Sequence, residues 1–411
     1  MTNAAAATFF AMSMPIFVLG LLRLVYFPLA VAFELRPGRN MVFNSSVPLV
    51  TVVVPAFNEG RVLRNCVDSI LASTYRTIEI VLVDDGSTDD TLAVMRCYAD
   101  HPAVTVLTRP NGGKGAALNA GIAVAKGEIV LLVDADGIFT ATTVVDILRG
   151  FDGPRVGAVC GNDTPVNLDR LQTRLLAVLT HTGTGFVRRA LALIGCLPIV
   201  SGNLGAFRKS VLDEVGGLRE DIVGEDLELT WRIRRAGYSV SFRPDAKVYA
   251  EVPSTVRGLW RQRIRWSRGF IQTVRLHRDL LFRPRYGLFG CWLPINVTSM
   301  LVVPVLQVAA LLLVPVLAAT TNSPVPPSVL GALGWLGLVV GVITAFCAIL
   351  LDRAYADLRL LYVVPLWVVY SALLSLVVVV ALWQEIRGSE ARWNKLARTG
   401  VVSRDGLAQG G

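Results

Sequence analysis

Residues 129–137 read IVLLVDADG, an apolar run that ends abruptly in two aspartates and a glycine. The run has the length and composition of a buried strand. Three similar runs precede it: LVTVVVPA (49–56), IEIVLVDD (78–85) and VTVL (104–107). Helical patterns such as RVLRNCVDSILAST and TLAVMRCYAD separate them. Alternation of helices with fully apolar strands predicts an α/β fold with a doubly wound, mostly parallel sheet.

The composition indicates that only part of the chain is soluble. Of the 411 residues, 53% are hydrophobic and 17% are charged, whereas soluble globular proteins carry about 25% charged residues. A bilayer is crossed by about 20 apolar residues. Four segments approach or exceed that length and predict one N-terminal and three C-terminal spans: 4–33, interrupted by Arg23, and 288–319, 329–351 and 361–383.

The sequence predicts five parts and their orientation. Arg36 and Arg39 follow the first apolar segment, and basic residues favour the cytoplasmic side of a membrane. We therefore expect a multi-pass protein of the plasma membrane with a cytoplasmic α/β domain. The parts are an N-terminal transmembrane segment (1–34), the α/β domain (48–252), an amphipathic interfacial helix region (253–285), a C-terminal transmembrane region (286–384) and a basic tail (385–411).

This topology leaves one conflict at the C-terminus. Three C-terminal spans would place the basic tail outside, against the charge rule. A bent hairpin at 288–319 around Pro304, or one apolar block lying in the interface, would return the tail to the cytoplasm. Four spans are also few for a polymer channel, so a small membrane partner or a second copy of the chain is a further expectation.

Charge and cysteine content exclude other classes of protein. The net charge of +9 is typical of cytoplasmic loops in a membrane protein, and we expect no nucleic-acid partner. The six cysteines contain no CxxC pair, which favours reduced thiols over a disulfide framework. The three histidines are scattered and do not predict a zinc site.

The aspartates of VDADG are the first candidate site residues. Asp134 and Asp136 are two residues apart at the end of this strand, so we expect both to point to the same side. Two carboxylates at one edge suit Mg²⁺ or Mn²⁺, with a phosphate supplying further ligands. An isolated DxD is usually an ordinary acidic turn, but here it follows a buried strand, where ligands of open α/β sheets bind.

The loops after the first two strands add candidates for nucleotide binding. Asp84 and Asp85 end the second strand and could accept hydrogen bonds from a base or a ribose. PAFNEG (55–60) follows the first strand and presents Pro55, Asn58 and Glu59 at the same edge. Asp89 and Asp90, further along VDDGSTDDT, are better interpreted as helix caps.

Two glycine-containing stretches complete this set. RPNGGKGAALNAG (109–121) is neither a Walker A loop nor GxGxxG, and it places Lys114 at a helix start, as a nucleotide contact or as a solvated lysine. SGNLGAFRKS (201–210) has small residues that permit close backbone approach. Ser201 and Gly202 could hold a sugar acceptor, or the stretch could be a turn.

Two further motifs supply acids and bases. VGEDLELTWRIRRAGY (223–238) begins a helix with Glu225 and Asp226, where acids are favoured by the helix dipole. The sequence leaves open whether they cap the helix or whether one is a general base. In LWRQRIRWSRGF (259–270), Gln262, Arg265 and Trp266 combine an amide, a guanidinium suited to diphosphate and an indole suited to a sugar face.

Taken in order, the motifs resemble the processive family-2 glycosyltransferases: the cellulose, chitin, hyaluronan and poly-N-acetylglucosamine synthases. The resemblance covers residues 48–272, with Gly224-Glu225-Asp226 in place of the usual Thr-Glu-Asp. It implies a GT-A fold, a UDP-sugar donor, an oligosaccharide or polysaccharide acceptor, and Mg²⁺ or Mn²⁺ at Asp134 and Asp136. It further implies that Asp226 is the catalytic base and that QxxRW is matched by Gln262, Arg265 and Trp266.

The resemblance leaves the sugar open. UDP-GlcNAc is the best match, and a cellulose-like glucan or a hyaluronan-type polymer is the alternative. Two other functions stay open: a non-processive transferase that adds one sugar to a lipid, and a non-enzymatic transporter with a nucleotide-sensing domain.

Overall fold

The structure is a computed structural model that describes residues 2–36, 41, 47–319, 327–389 and 400. Most of the predicted basic tail therefore lies outside the described residues. The chain forms two compact units. The α/β unit comprises the described parts of Arg36–Thr173, Gly195–Leu259 and Ala391–Gly411, and the helical unit those of Met1–Leu35, Arg174–Ile194 and Trp260–Glu390. The functional boundaries drawn from the sequence stay predictions.

An eight-stranded mixed sheet forms the centre of the described α/β unit, in the order β3-β2-β1-β4-β7-β6-β8-β5. The four strands that the apolar runs predict are neighbours and pair in parallel. β7 is antiparallel to both β4 and β6, β6 and β8 are parallel, and β5 is antiparallel to β8. The strands are β1 (Val50–Ala56), β2 (Ile78–Asp84), β3 (Val104–Thr108), β4 (Ile129–Leu132), β5 (Ile138–Phe139), β6 (Val156–Pro165), β7 (Gly205–Arg208) and β8 (Ser239–Ala250).

Helices pack on the sheet, so β1 and β4 are buried along their whole length, as expected of a parallel sheet covered on both faces. The helix Lys114–Val124 comes unusually close to β1. A Cβ at Gly121 would lie 2.3 Å from Cγ1 of Val53, so only glycine permits this approach. The helices of this unit include Gly60–Leu71, Thr91–Arg96, Lys114–Val124, Thr143–Leu148, Lys209–Val215 and Glu225–Arg235.

The pairing registers bring several candidate motifs to one edge of the sheet. Ala56 pairs with Asp84, so the carboxyl ends of β1 and β2 coincide. Leu132 at the end of β4 pairs with Gly205 at the start of antiparallel β7. The SGN stretch before Gly205 and the DAD stretch after Leu132 therefore emerge at the same edge, where ligands of open α/β sheets bind.

The helical unit contains three helices that are long and apolar enough to cross a membrane, among the residues that the structure describes: Ala11–Glu34, Pro284–Pro315 and Tyr355–Ile386. Trp335–Leu351 is a shorter apolar helix. Two further helices, Leu171–Thr180 and Val256–Leu276, continue across the division between the units. The rest of the segment Arg174–Ile194 forms a π-helix, His181–Phe186, and an α-helix, Val187–Leu193.

The predicted hairpin at 288–319 is wrong. Gly287–Val297, the π-helix Thr298–Val302 and Val303–Ala319 follow one another without a break. Pro304 has no N–H for an α-helical hydrogen bond, and the chain adjusts through the π-helical turn beside it instead of reversing. Additional helical bounds in this unit are Thr2–Leu22, Arg23–Val25, Tyr26–Glu34, Pro327–Leu351, Tyr355–Leu366 and Trp367–Ile386.

Candidate active site

The side chain of Lys114 lies among carboxylates from two other motifs. Its Nζ forms an ion pair with Asp134 and is 3.8 Å from Oε1 of Glu225. Burial acts to lower the pKa of Lys114, but Asp134, Glu225 and Asp226 outweigh it and raise the pKa above its ordinary value. Only 12% of its side chain is exposed, so Lys114 is a largely buried cation and not a solvated lysine.

Asp226 is held by backbone amides on both oxygens. Its Oδ2 accepts a hydrogen bond from the amide of Gly202 at 3.1 Å, and its Oδ1 accepts one from the amide of Leu227 at 2.8 Å. The second bond satisfies a backbone N–H in the first turn of the helix Glu225–Arg235, so Asp226 supports the start of this helix and also lies beside Lys114. Each carboxylate oxygen retains acceptor capacity for a ligand.

Gly202 is the closest approach of the SGN stretch to this cluster. A Cβ at this position would lie 3.0 Å from Nζ of Lys114 and 3.3 Å from Oδ2 of Asp226. Glycine therefore lets the backbone bind Asp226 and leaves room for the ammonium group of Lys114 beside it. The glycine-rich loop, DAD, SGN and GED, which are spread over more than 110 residues of sequence, meet at one place.

The two aspartates of DAD have different surroundings. β4 ends at Leu132, so Asp134 and Asp136 lie in a turn, and the rule that places alternate strand residues on one side does not apply. Asp134 binds Lys114, whereas Asp136 is buried and lines a small cavity of about 10 Å³ with Asn65 and Glu251. Both still lie near Cys66, since burial and then Asp136 and Asp134 raise the pKa of its thiol.

Asp84 and Asp85 are buried, and both accept hydrogen bonds from neighbouring parts of the same sheet edge. Asp84 accepts hydrogen bonds from the amide of Ser87 and the hydroxyl of Thr108, at 3.2 and 3.3 Å. Asp85 accepts hydrogen bonds from the amides of Gly112 and Gly113, at 3.1 and 2.8 Å. Burial raises the pKa of Asp85, opposed by those two amides and by Arg109. Asp85 thus holds the glycine-rich loop, and its nucleotide contact stays a prediction.

PAFNEG supports the neighbouring loop. Asn58 has a positive φ of 57°. Its Oδ1 accepts hydrogen bonds from the amides of Thr88 and Asp89, at 2.7 and 3.2 Å. The backbone N–H of Glu59 donates a hydrogen bond to the hydroxyl of Thr91 at 2.7 Å. Pro55 is a buried residue of β1. These contacts order the edge, and direct donor binding by Pro55, Asn58 and Glu59 stays a prediction.

The sequence did not single out Asp163 and Asn203. Oδ1 of Asp163 accepts a hydrogen bond from Nδ2 of Asn203 at 3.0 Å, and the hydroxyl of Ser201 lies 3.5 Å from the same oxygen. Asp163 is near the end of β6, whose carboxyl end reaches the same edge because Cys160 pairs with Gly205. The sequence signal that could have found Asp163 is an acidic residue near the end of a strand, as at Asp84.

The residues of QRIRW belong to the helix Val256–Leu276 and to the helical unit. Trp266 is 47% exposed, and the guanidinium of Arg263 lies 4.4 Å from the centre of its ring. Burial lowers the pKa of Arg263, and the neighbouring Tyr370 hydroxyl opposes that effect. Gln262 and Arg265 form no side-chain hydrogen bond or ion pair with another described residue. The acceptor role of this motif stays a prediction.

The described residues contain no group of three or more His, Cys, Asp or Glu side chains that could hold a metal ion. All six cysteines are free thiols, and Cys97 and Cys291 are exposed. The carboxylates around Lys114 outnumber it, so the cluster keeps a negative excess.

The mixed sheet and its acidic edge identify the fold as GT-A, and the class of protein as a glycosyltransferase. Residues 48–269 match the family described as glycosyltransferase like family 2. Because that match covers more than half of the 411 residues, the chain belongs to this family. The fold class and the resemblance drawn from the sequence are both confirmed.

Two curated relatives are poly-beta-1,6-N-acetyl-D-glucosamine synthases. The protein from Staphylococcus aureus (strain COL) is 29% identical over 243 residues, which are 57% of this chain and 59% of the relative. The protein from Staphylococcus epidermidis (strain ATCC 35984) is 30% identical over 228 residues, 55% of each chain. The chain thus spans less than two thirds of the length of the curated relatives it matches.

A solved structure shares the fold over almost the whole chain. The mannosyltransferase PcManGT from Pyrobaculum calidifontis, in complex with GDP-Man and Mn²⁺, superposes with a TM-score of 0.68 and 24% sequence identity. The match covers 94% of this chain and 100% of PcManGT. At this identity the likeness shows the fold.

Proposed function

We propose that this chain is a membrane-embedded, inverting glycosyltransferase that moves a sugar from a UDP-sugar to the end of a growing β-linked polysaccharide and takes part in its export. One observation carries the proposal: Lys114 contacts Asp134 and lies 3.8 Å from Glu225, beside Gly202 and Asp226. The two poly-beta-1,6-N-acetyl-D-glucosamine synthases at 29% and 30% identity support UDP-GlcNAc as the donor.

The donor would lie along the carboxyl ends of β1, β2 and β4. Lys114 is a largely buried cation at the start of a helix, and both its charge and the helix N-terminus favour a phosphate. Asp84 and Asp85 would accept hydrogen bonds from the nucleoside, with further contacts from the PAFNEG loop. When the donor binds, Lys114 would exchange part of its contact with Asp134 for a contact with the diphosphate.

The acidic cluster fits a divalent cation. Asp134 is one-third exposed and already binds a cation in the form of Lys114, and hard carboxylate oxygens suit Mg²⁺ or Mn²⁺. Mg²⁺ sites commonly use one or two carboxylates together with substrate phosphates, so Asp134 and Asp136 would be sufficient as protein ligands. When bound, the cation would neutralise charge on the leaving diphosphate. The Mn²⁺ in the PcManGT complex supports this assignment.

Asp226 would be the general base. The amides of Gly202 and Leu227 orient its two oxygens, and the carboxylate takes the proton of the acceptor hydroxyl as that oxygen attacks the anomeric carbon. The bond between the sugar and UDP breaks, and UDP leaves with the electron pair. A single displacement of this kind inverts an α-linked donor to a β-linked product.

The acceptor sugar would be bound by two groups of residues. Ser201, Gly202 and Glu225 lie at the acidic edge of the α/β unit. Gln262, Arg265 and Trp266 would supply an amide, a cation for the diphosphate and a stacking surface. Trp266 would hold the terminal sugar so that its hydroxyl is in attacking geometry.

The test uses the purified full chain in nanodiscs, incubated with Mg²⁺ or Mn²⁺ and with one donor at a time: UDP-GlcNAc, UDP-Glc, UDP-GlcA or GDP-Man. Nucleoside diphosphate release and product length on a gel are measured. We expect UDP release from UDP-GlcNAc, a ladder of polymer products, and loss of both on addition of EDTA.

Each other outcome contradicts a defined part of the proposal. A different preferred donor would assign another polymer, such as a cellulose-like glucan or hyaluronan. A product that stops at one sugar on a lipid would identify a non-processive transferase. Absence of diphosphate release from every donor would overturn the enzyme assignment and favour a transporter with a nucleotide-sensing domain.

A further inference from the structure

The last apolar helix, Trp367–Ile386, ends beside a cluster of basic and amide side chains. Glu385 is its acidic residue, and only 7% of its side chain is exposed. Its Oε1 accepts hydrogen bonds from Nε of Arg268 at 2.6 Å and from Nε2 of Gln272 at 3.0 Å. Arg275 lies 3.4 Å from the other carboxylate oxygen but is 55% exposed.

Arg268 is bound at two points. Besides Glu385, its Nη2 donates a hydrogen bond to the carbonyl oxygen of Ser389 at 2.5 Å. The side chain is 9% exposed, so this arginine does not snorkel to a membrane surface. A buried ion pair with good geometry is costly to break because removal of either partner leaves an uncompensated charge. The contact therefore fixes the helix Val256–Leu276 against Trp367–Ile386.

The same contact defines the rotation of the helix that carries QRIRW. Arg265, Arg268 and Gln272 are three and four residues apart and therefore share one helix face. Among the described residues, Arg268 is neutralised by Glu385 and Arg263 lies over the ring of Trp266, whereas Arg265 has no ion pair. The neighbouring arginines thus have fixed partners, and the guanidinium of Arg265 stays available for a ligand.

We propose that Glu385 is a positioning residue for the acceptor site, which it orders by holding Arg268 and Gln272 on the helix that presents Arg265 and Trp266. This inference rests on the proposed function, because it takes QRIRW to be the acceptor-binding motif. Glu385 itself touches neither donor nor acceptor. Its loss changes the orientation of Trp266 and Arg265 relative to the sugar, and leaves the donor contacts of the α/β unit in place.

The test compares Glu385→Gln with Arg275→Gln in the full chain in nanodiscs. Arg275→Gln is the matched control, because it removes a charge from the same cluster at an exposed position. UDP release without acceptor reports donor turnover, and transfer to a β-linked GlcNAc oligomer gives the acceptor KM. We expect Glu385→Gln to raise the acceptor KM about 10-fold, within the range that small misplacements cause, with unchanged donor turnover.

Two more variants protect the test against misfolding. Gln272→Leu removes only a neutral hydrogen bond to Glu385 and should raise the acceptor KM to a smaller extent. The exchange Arg268→Glu with Glu385→Arg restores an ion pair of opposite polarity and should recover much of the lost acceptor affinity. Equal losses in donor turnover and acceptor KM, or an acceptor KM equal to that of Arg275→Gln, would overturn the positioning role.

The result also separates this inference from the function on which it rests. If the wild-type chain transfers no sugar to any oligosaccharide, the proposed function fails and the inference fails with it. If the wild-type chain transfers normally and Glu385→Gln has wild-type kinetics, the inference alone fails.

Discussion

At the scale of single residues, the site is organised by one lysine and one glycine. Lys114 offsets part of the charge of Asp134, Glu225 and Asp226, which would otherwise repel one another. Gly202 lets the backbone come within contact of Lys114 and Asp226. By contrast, the exposed pair of Arg219 and Asp221 is of the kind that contributes about 0–1 kcal/mol.

The first prediction concerns Gly202→Ala. The added Cβ would lie 3.0 Å from Nζ of Lys114 and 3.3 Å from Oδ2 of Asp226, so it should displace both groups. We expect kcat for UDP release to fall about 10- to 100-fold, in line with the effect of small misplacements in active sites. Steady-state kinetics of the purified variant give this value.

Gly153→Ala is the matched control for that variant. Its nearest neighbour would be a Val156 methyl at 4.0 Å, so it should keep wild-type kcat. If Gly202→Ala were as active as Gly153→Ala, close backbone approach at position 202 would have no part in the reaction.

At the scale of elements, the segment Arg174–Ile194 is anchored by a buried charge network in the helical unit. Nδ1 of His181 lies 2.7 Å from Oδ2 of Asp352, and its Nε2 lies 3.0 Å from Oδ2 of Asp357. Arg189 binds the second oxygen of Asp352 at 2.6 Å and Glu34 at 2.5 Å. The network therefore ties the segment to the N-terminal helix and to the turn after Pro327–Leu351.

The second prediction is a pH dependence of stability caused by His181. Burial acts to lower its pKa, but Asp352 and Asp357 outweigh it and raise the pKa of His181 from 6.5 to about 9. The folded chain holds this proton more tightly than the unfolded chain does. Stabilisation by His181 is therefore complete below pH 6.5 and is lost as the pH rises through about 9.

Thermal unfolding of the full chain in nanodiscs between pH 6 and pH 10 measures this effect. We expect the Tm of the wild-type chain to fall across that interval and the Tm of His181→Gln to fall less. Parallel curves for the two chains would show that His181 is not charged in the folded state.

The sequence predicted the elements whose signal is local. The apolar runs at 49–56, 78–85, 104–107 and 129–136 became β1 to β4, because uniform apolar strands have few alternative structures. β6 and β7 contain glycine, and β6, β7 and β8 all contain polar or charged residues, so their pairing is set by tertiary contacts. The same limit applies to the side chains: Arg268 and Glu385 are 117 residues apart, and no periodicity marks such a pair.

The residues of the candidate site divide in the same way, into those that a motif marks in the sequence and those whose contacts only the fold creates. Lys114, Asp134, Glu225 and Asp226 were recognised because each belongs to an ordered motif, and the structure brings them together. The bond between Asp163 and Asn203 was not anticipated, because Asp163 lies near the end of a strand that is not uniformly apolar and therefore gives a weak signal. Asp85 and Asn58 were expected at the nucleotide, yet their observed hydrogen bonds hold loops.

At the scale of the whole molecule, three long apolar helices accompany an α/β unit with one exposed cysteine among its described residues, Cys97. The basic residues that follow the first apolar segment favour a cytoplasmic α/β unit.

The third prediction tests that orientation through Cys97. A membrane-impermeant maleimide should label Cys97 only after the cells are permeabilised, because the reagent reaches the cytoplasm only then. Cys97→Ser is the control, since it isolates this thiol from exposed Cys291. Labelling of intact cells that disappears in Cys97→Ser would place the α/β unit outside.

The central claim is that the carboxylate of Asp226 activates the acceptor at the edge where Lys114 and Asp134 hold the donor. The most direct measurement is kcat for sugar transfer by Asp226→Asn, with donor affinity measured in parallel and Asp221→Asn as the surface control. We expect kcat to fall about 10²–10⁴-fold in Asp226→Asn, with donor affinity nearly unchanged and Asp221→Asn at the wild-type rate. Near-normal transfer by Asp226→Asn with bound donor would contradict this claim.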